Sequence, residues 1–158
     1  MKIIKWLLLL PVALIVLGVI GTELNKGYWD YQVKKMCHRD GGATVFETVF
    51  LTQEQYKKND GDGGMIRILP KRMTKPYHEF YRKRITTIIK KSNPDVTRSE
   101  SIIVRKSDEK ELGKSVYYSR RGGDFPTGFH PSSFSCLNIA NINFNLEKKV
   151  FLIAKDIN

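Results

Sequence analysis

The sequence predicts an α+β protein, in which an N-terminal transmembrane helix precedes a small antiparallel sheet domain with one or two short helices. Three observations lead to this class. Residues 6–21 form an uncharged apolar run after a basic start. Residues 100–105 and 114–120 are rich in β-branched and aromatic side chains and flank a polar turn, as in an antiparallel hairpin. Thr52 and Gln55 have the spacing of a helix capping box.

The apolar run is long enough for a membrane span once its flank is included. As a helix, residues 6–21 extend roughly 24 Å. Residues 3–5 close most of the gap to a hydrocarbon core of about 30 Å, because Lys5 can extend its ammonium to the headgroups. Pro11 is tolerated within a span. Aromatic residues flank the run, as is typical of the membrane–water interface: Trp6, Tyr28, Trp29 and Tyr31. We therefore expect an uncleaved anchor over residues 1–21.

A cleaved signal peptide is the alternative interpretation of this segment, and a buried helix of a soluble protein is a third. Val19 and Gly21 before Thr22 make a poor cleavage site, because an Ala-x-Ala pattern is missing. Lys2 and Lys5 favour a cytoplasmic N-terminus and an exported body. Basic residues that follow the span argue in the opposite direction: Lys26, Lys34, Lys35 and Arg39.

The segments after the anchor alternate between short elements and turns. Residues 22–36 have helical composition, and the Arg-Asp-Gly-Gly stretch at 39–42 ends that helix. Residues 43–51 are rich in Val, Thr and Phe and predict a strand. The capped helix covers 53–58 and ends in an exposed Asp- and Gly-rich loop. We divide the chain into an anchor (1–21), a juxtamembrane helical segment (22–36) and an exported domain (37–158).

The second half of the chain predicts further strands and one long loop. Short strands are expected at 65–69 and 149–154. Within 77–91, the β-branched run 85–89 favours a strand, whereas the first half also suits a helix. An irregular segment rich in Gly, Pro and Ser follows residue 122.

Two cysteines bracket most of the exported part. Cys37 and Cys136 in a small exported domain suggest a disulfide. The bridge would close a loop of about 100 residues, which by loop entropy is worth up to ~4–5 kcal/mol. The two cysteines and the neighbouring His38 and His130 also include the ligand types of a zinc site, but adjacent Cys37 and His38 are strained as simultaneous ligands. We therefore expect neither a metal nor another cofactor.

The charge distribution points to an anionic partner. The formal net charge is +11, and basic residues concentrate between positions 71 and 91. These are Lys71, Arg72, Lys75, Arg82, Lys83, Arg84, Lys90 and Lys91, opposed only by Glu79. Beside a membrane, such a surface attracts an anionic envelope component or an acidic protein, although a solvated charged face has the same composition. Nucleic acid is not expected, because no helix-turn-helix, zinc-finger or RNP-type motif is present.

The segment 120–136, RRGGDFPTGFHPSSFSC, is the candidate site, since long irregular loops often carry function. Three interpretations are open. The segment has a structural role, it binds an anion, or a serine and His130 act in catalysis. The third lacks a nucleophile-elbow motif and a third triad member. The candidate binding residues are Arg120, Arg121, Asp124 and His130, together with Arg82, Lys83 and Arg84 of the basic cluster.

The chain resembles a group of small bacterial proteins that begin with a signal peptide or anchor and have no assigned activity. The motifs are Cys37-His38-Arg39-Asp40-Gly41-Gly42, Val45-Phe46-Glu47, Gly122-Gly123-Asp124 and His130-Pro131-Ser132-Ser133-Phe134-x-Cys136. The resemblance implies a bacterial envelope protein and supports the pairing of Cys37 with Cys136. It carries over no catalytic or binding residue.

These observations together predict a single-pass protein of the bacterial inner membrane with its body in the periplasm. We expect a non-enzymatic binding, accessory or immunity-type module with a basic surface. The alternative is a hydrolase or metal-dependent enzyme that uses the His130 loop. The sequence leaves the oligomeric state open.

Overall fold

A computed structural model describes residues 2–59, 61–62, 65–125 and 131–153 of the chain. It begins with helix α1 (Lys2–Asp40), which leads from the apolar run into the folded domain. Among the described residues, α1 is the one helix long and apolar enough to cross a membrane. Its large side chains from Leu10 to Ile20 are exposed, whereas Val33 and Cys37 are buried. The helix passes through Gly27 without a break, so the predicted juxtamembrane segment (22–36) continues the helix that begins with the apolar run.

Within the described residues, nine strands and two further α-helices follow α1. In chain order they are β1 (Gly42–Val45), β2 (Val49–Leu51), α2 (Gln53–Lys58), β3 (Gly61–Asp62), β4 (Met65–Ile66), β5 (Phe80–Lys90), β6 (Asp95–Arg105), β7 (Glu111–Arg121), β8 (Ser133–Ser135), α3 (Leu146–Val150) and β9 (Phe151–Ile153). The long apolar helix and the antiparallel sheet with short helices confirm the predicted α+β class.

The main sheet is antiparallel and has the order β1-β7-β6-β5. Strand β8 also pairs with β7, so β1 and β8 lie along the same edge of that strand. β1 pairs with residues 113–116 of β7, and β8 pairs with residues 119–121. β5 and β6 pair from Phe80 opposite Arg105 to Lys90 opposite Val96. β5 is therefore the outermost strand on the side away from β1.

Two predicted elements differ from the structure in informative ways. The strand expected over 43–51 is split, because the amides of Phe46 and Glu47 both donate to the carbonyl of Leu112 and the chain then leaves the sheet. It continues as β2, which pairs in parallel with β9. The helical alternative for the first half of 77–91 is wrong from Phe80 onwards, since β5 pairs with β6 along its whole length.

The hairpin and the short strands follow the predictions more closely. β6 and β7 form the expected hairpin but extend further, to Asp95 and Arg121. α2 has the predicted capping box between Thr52 and Gln55. At the C-terminus, Val150 ends α3 and the strand begins at Phe151, while Ala154 lies outside the described residues.

Apolar clusters cover both faces of the sheet. On one face, α1 packs on the sheet through Val33, Cys37, Val96, Val116, Tyr118 and Cys136. On the other face, Ile103 and Leu112 of the sheet pack with Leu51, Tyr56, Ile66, Ile68, Phe80, Leu146, Val150 and Phe151. Val96 and Ile103 of β6 are an odd number of positions apart, so they face opposite sides of the sheet, as the pleat requires.

The predicted disulfide between Cys37 and Cys136 is formed, and both residues are buried. Their Cα atoms are 5.5 Å apart, and the bridge spans 99 positions of sequence. The amide of Tyr118 donates a hydrogen bond to Sγ of Cys136 (3.2 Å). The bridge therefore joins the last turn of α1 to the segment after β8, beside the middle of β7.

Candidate functional site

Arg120 lies in the interior, where it joins the sheet to α1. It is 2% exposed, and its Nε donates to the Asp30 carboxylate (2.5 Å). Its Nη1 donates to the carbonyl of Gly122 and to the hydroxyl of Ser132 (3.1 Å). Because these partners enclose the guanidinium, Arg120 offers no surface to a binding partner.

Asp124 extends the same network towards the apolar run of α1. Its carboxylate accepts hydrogen bonds from the Ser132 amide (2.6 Å) and hydroxyl (2.7 Å), and it contacts the ammonium of Lys26 (3.3 Å). The Ser132 hydroxyl, then the Ser132 amide and Lys26, lower the pKa of Asp124 to about 2 against the opposing effect of desolvation. Asp124 thus holds the segment after β7 against α1.

The other residues of the predicted loop site are placed apart. Arg121 is exposed at the end of β7, and His130 lies outside the described residues. His38 lines a groove of about 580 Å³ between α1 and Phe134. Within 2–59, 61–62, 65–125 and 131–153, no three His, Cys, Asp or Glu side chains are grouped to hold a metal ion. The disulfide moreover leaves Cys37 and Cys136 without a thiolate to donate.

Arg82 points into the fold rather than along the strand surface. Its guanidinium pairs with Glu147 of α3. Burial, followed by the charge of Arg84, lowers the pKa of Arg82. Of the three predicted binding residues on β5, Lys83 and Arg84 are exposed, so these two can meet a partner.

The outer edge of β5 leaves most of its backbone hydrogen-bonding groups without a partner strand among the described residues. At its start, the amide of Arg82 donates to the carbonyl of Leu69 (2.8 Å), which covers that end. Within the described residues, no strand pairs with the outer edge of residues 83–90. We call this outer edge of residues 83–90 the free edge. Successive residues of a strand direct their amides to opposite sides. The amides and carbonyls of Arg84, Thr86 and Ile88 therefore point outward like those of Arg82.

Side chains on both faces of the free edge are apolar and exposed. Ile85, Ile88 and Ile89 are 38%, 61% and 42% exposed, respectively. Thr86 and Thr87 lie between them and are also exposed. Five β-branched residues in succession favour an extended backbone. The segment is therefore shaped to accept another strand.

Cations flank this apolar stretch at both ends. Lys83 and Arg84 precede it, and Lys90 and Lys91 follow it. Throughout the part of the chain that the structure describes, none of the four forms an ion pair with a carboxylate. Lys90 instead donates to the carbonyl of Pro94 (3.2 Å). By contrast, Lys71 of the same basic cluster pairs with Glu109 (3.1 Å). The unpaired positive charge of the cluster is concentrated on β5.

Lys83 and Arg84 of the free edge were among the predicted binding residues, but its open backbone groups and exposed isoleucines were not, although the sequence contains a pattern for an edge strand. Charged residues, lysine above all, are common on edge strands because they discourage unwanted pairing. Lys83 and Arg84 directly before a β-branched run fit that pattern.

A second surface lies where β5 ends. A cleft of about 350 Å³ is lined by Ile88, Lys91, Asp95, Thr97, Ser119 and Arg121. The hydroxyls of Thr97 and Ser119 hydrogen-bond to each other across the strands (2.9 Å). The cleft thus combines two cations and two hydroxyls with one carboxylate.

Comparison of this chain with protein-family models, with curated proteins and with solved structures gave no match in any of the three.

Proposed function

We propose that this chain is a single-pass protein of the bacterial inner membrane whose periplasmic domain binds an acidic, extended segment of another protein along β5. It acts by binding rather than by catalysis. The single observation that carries this proposal is the free edge, which joins outward backbone groups, exposed isoleucines and unpaired cations.

The support for the membrane anchor comes from α1. Its apolar residues from Leu10 to Ile20 contact little of the protein, so a bilayer is the environment that buries them. The basic N-terminus favours export of the domain. A buried disulfide is typical of oxidising compartments, which supports the periplasm. The resemblance to small bacterial envelope proteins supports the same location.

Strand addition is the binding mode that suits the free edge. A peptide that lies beside β5 satisfies the outward backbone groups of Arg84, Thr86 and Ile88 with main-chain hydrogen bonds. Ile85 and Ile88 lie on opposite faces of β5, so side chains on both faces of the peptide lie beside exposed isoleucines. Apolar residues in the centre of the peptide therefore match the centre of the edge.

The flanking charges determine which peptide fits. Lys83 and Arg84 at one end and Lys90 at the other favour acidic residues at both ends of the partner. A second copy of this chain fits poorly. Two copies in one membrane direct their β5 strands the same way, so edge pairing brings like charges together, which destabilises a sheet.

The test uses the full chain in nanodiscs and a short labelled peptide with Glu at both ends and Val in its centre, which we call the Glu-Val peptide. The substitution Thr86→Pro removes one outward amide but no backbone hydrogen bond to β6, and proline is tolerated at edge strands. The hydroxyl contact of Thr86 with Ser99 of β6 (3.4 Å) is lost in Thr86→Ala as well. We expect T86P to weaken binding about tenfold, through the lost amide and the proline ring beside the peptide. Thr86→Ala keeps the amide and is the matched control.

Charge is tested by a second pair of variants. Lys83→Glu combined with Arg84→Glu should weaken binding of the Glu-Val peptide and strengthen binding of a Lys-Val peptide of equal length. Equal binding by T86P and T86A would exclude strand addition. Polyglutamate of equal length tests for general binding of polyanions. If the double charge variant lost as much affinity for polyglutamate as for the Glu-Val peptide, the basic surface would bind polyanions in general. The proposal of an extended protein segment would then be wrong.

A further inference from the structure

We infer that the domain also docks on the bilayer that α1 spans, through the ends of β5 and β7 and the segment that follows β7. Phe125 enters the acyl region, and Lys91 and Arg121 bind anionic lipid headgroups. This inference rests on the proposed span, but it assigns a second and separate membrane contact to the folded domain.

The direction of β7 brings its end to the membrane. Tyr118 donates to Asp40 at the domain end of α1 (2.7 Å). Arg120 contacts Asp30 ten residues earlier in the helix, and Asp124 contacts Lys26 earlier still. β7 and the residues after it therefore run alongside α1 in the opposite direction, back towards the apolar run.

Phe125 reaches the apolar run itself. A Cβ placed on Gly18 would lie 3.4 Å from Cε2 of Phe125. Gly18 lies three residues before the end of the run at Gly21, which corresponds to about 4.5 Å along the helix. A bilayer that covers residues 6–21 therefore also covers the ring of Phe125.

The segment that carries Phe125 is held by the fold on two sides. Gly122 and Gly123 adopt positive φ angles of 81° and 94°. Asn93, in the turn between β5 and β6, accepts a hydrogen bond from the Gly123 amide. A Cβ on Gly123 would lie 3.4 Å from Cβ of Lys26. Phe125 is thus positioned by the sheet and by α1 together.

The turn between β5 and β6 lies at the depth of the headgroups. Lys26, which touches this region, is five residues past Gly21, or about 7.5 Å along the helix. A headgroup layer is about 5–8 Å thick on each side of the hydrocarbon. The ammonium of Lys90 lies 5.6 Å from the ring centre of Trp29, an interfacial type of side chain.

The cleft between Lys91 and Arg121 supplies the lipid contact at this level. Two cations beside the hydroxyls of Thr97 and Ser119 suit a phosphate group. Ile88 adds an apolar wall. Asp95 is the carboxylate of the cleft, and its Oδ1 accepts a hydrogen bond from the amide of Ser92 (2.8 Å).

The experiment places single tryptophans in the full chain and measures their quenching by brominated acyl chains in nanodiscs. Trp6 and Trp29 are first replaced by Phe. Leu14→Trp reports on the span, and Phe125→Trp reports on the docked segment. Phe46→Trp is the matched control, because the Phe46 amide bonds to Leu112 at the opposite end of β7, about 30 Å away.

We expect strong quenching of L14W and F125W and none of F46W. Quenching of F125W should increase when phosphatidylglycerol replaces part of the phosphatidylcholine. In those discs, Lys91→Gln and Arg121→Gln should each remove most of the increase in F125W quenching that phosphatidylglycerol produces. The same substitutions should leave quenching of L14W unchanged.

The outcomes separate the two proposals. Unquenched L14W would overturn the span and with it the proposed function. Quenched L14W with unquenched F125W would overturn the docking alone. A second measurement uses the natural side chain: photoactivatable acyl chains should label the peptide that begins after Arg121 in the unsubstituted chain, and absence of label there would also overturn the docking.

Discussion

Asp30 of α1 and Arg120 of β7 form an ion pair where the helix meets the sheet, with the Arg120 side chain 2% exposed, the Asp30 side chain 31% exposed and the two groups 2.5 Å apart. The residues are 90 positions apart in the sequence. The ion pair and the disulfide thus have similar roles. The ion pair joins α1 to β7, and the disulfide joins α1 to the residue that follows β8, the strand paired with β7.

Removal of one partner of this pair should destabilise the domain strongly. Arg120→Ala leaves the Asp30 carboxylate and the carbonyl of Gly122 without their donor, and Asp30→Asn leaves a buried cation. We expect each to lower the free energy of unfolding by about 2–4 kcal/mol, measured by urea titration in detergent. Arg121→Ala, on the exposed neighbour, should change it by less than about 0.5 kcal/mol. Equal effects at both positions would contradict the internal role of Arg120.

The disulfide should contribute a comparable amount. Replacement of Cys37 and Cys136 together by Ser removes a bridge across 99 positions and places hydroxyls in a buried apolar cluster. We expect a loss of about 2–4 kcal/mol. Unfolding of the oxidised and reduced forms of the unsubstituted chain provides the control, because reduction removes the bridge without a change of sequence. An unchanged midpoint on reduction would contradict the prediction.

Asp124 should make stability depend on pH in a defined window. Its pKa of about 2 lies below the ordinary value of 3.8, so the folded state favours the charged form. The resulting stabilisation is complete above about pH 4 and is lost as the pH falls towards about 2. Asp124→Asn should remove this component. The difference between the two pH profiles of unfolding isolates Asp124 from the other carboxylates, and a constant difference between pH 5 and pH 2 would be incompatible with the network described above.

The capping box of α2 offers a local test. Thr52 accepts a hydrogen bond from the Gln55 amide (3.2 Å), and the Gln55 side chain accepts one from the Thr52 amide (3.0 Å). Thr52→Ala should lower the free energy of unfolding by about 1 kcal/mol. Gln53→Ala, at an exposed position of the same helix, is the control. The result matters because α2 places Tyr56 in the apolar core.

The local elements of the fold could be predicted because their causes are local. The apolar run, the capping box and the β6–β7 hairpin each depend on residues a few positions apart. The limits of β1 and β2 could not be predicted, because β2 leaves the sheet for β9 at the other end of the chain. Sequence pattern contains no record of that distant pairing.

The candidate site was harder to predict for the same reason. In the sequence alone, Arg120 is indistinguishable from an arginine that binds an external anion. Only the fold brings Asp30 to it, from 90 positions away. An edge strand differs from a central strand only in the order of the sheet, and that order is a tertiary property. The cations before Ile85 indicated an edge, but they could equally belong to any solvated face.

The unbroken course of α1 has a consequence for any partner of β5. In the proposed arrangement no hinge separates the bilayer from the sheet, so the free edge would stand upright on the membrane in a fixed orientation relative to the span. A neighbour confined to the same bilayer searches in two dimensions rather than three, which raises its effective concentration. A neighbouring protein whose chain leaves its own membrane span in an extended conformation would already run along the free edge of β5.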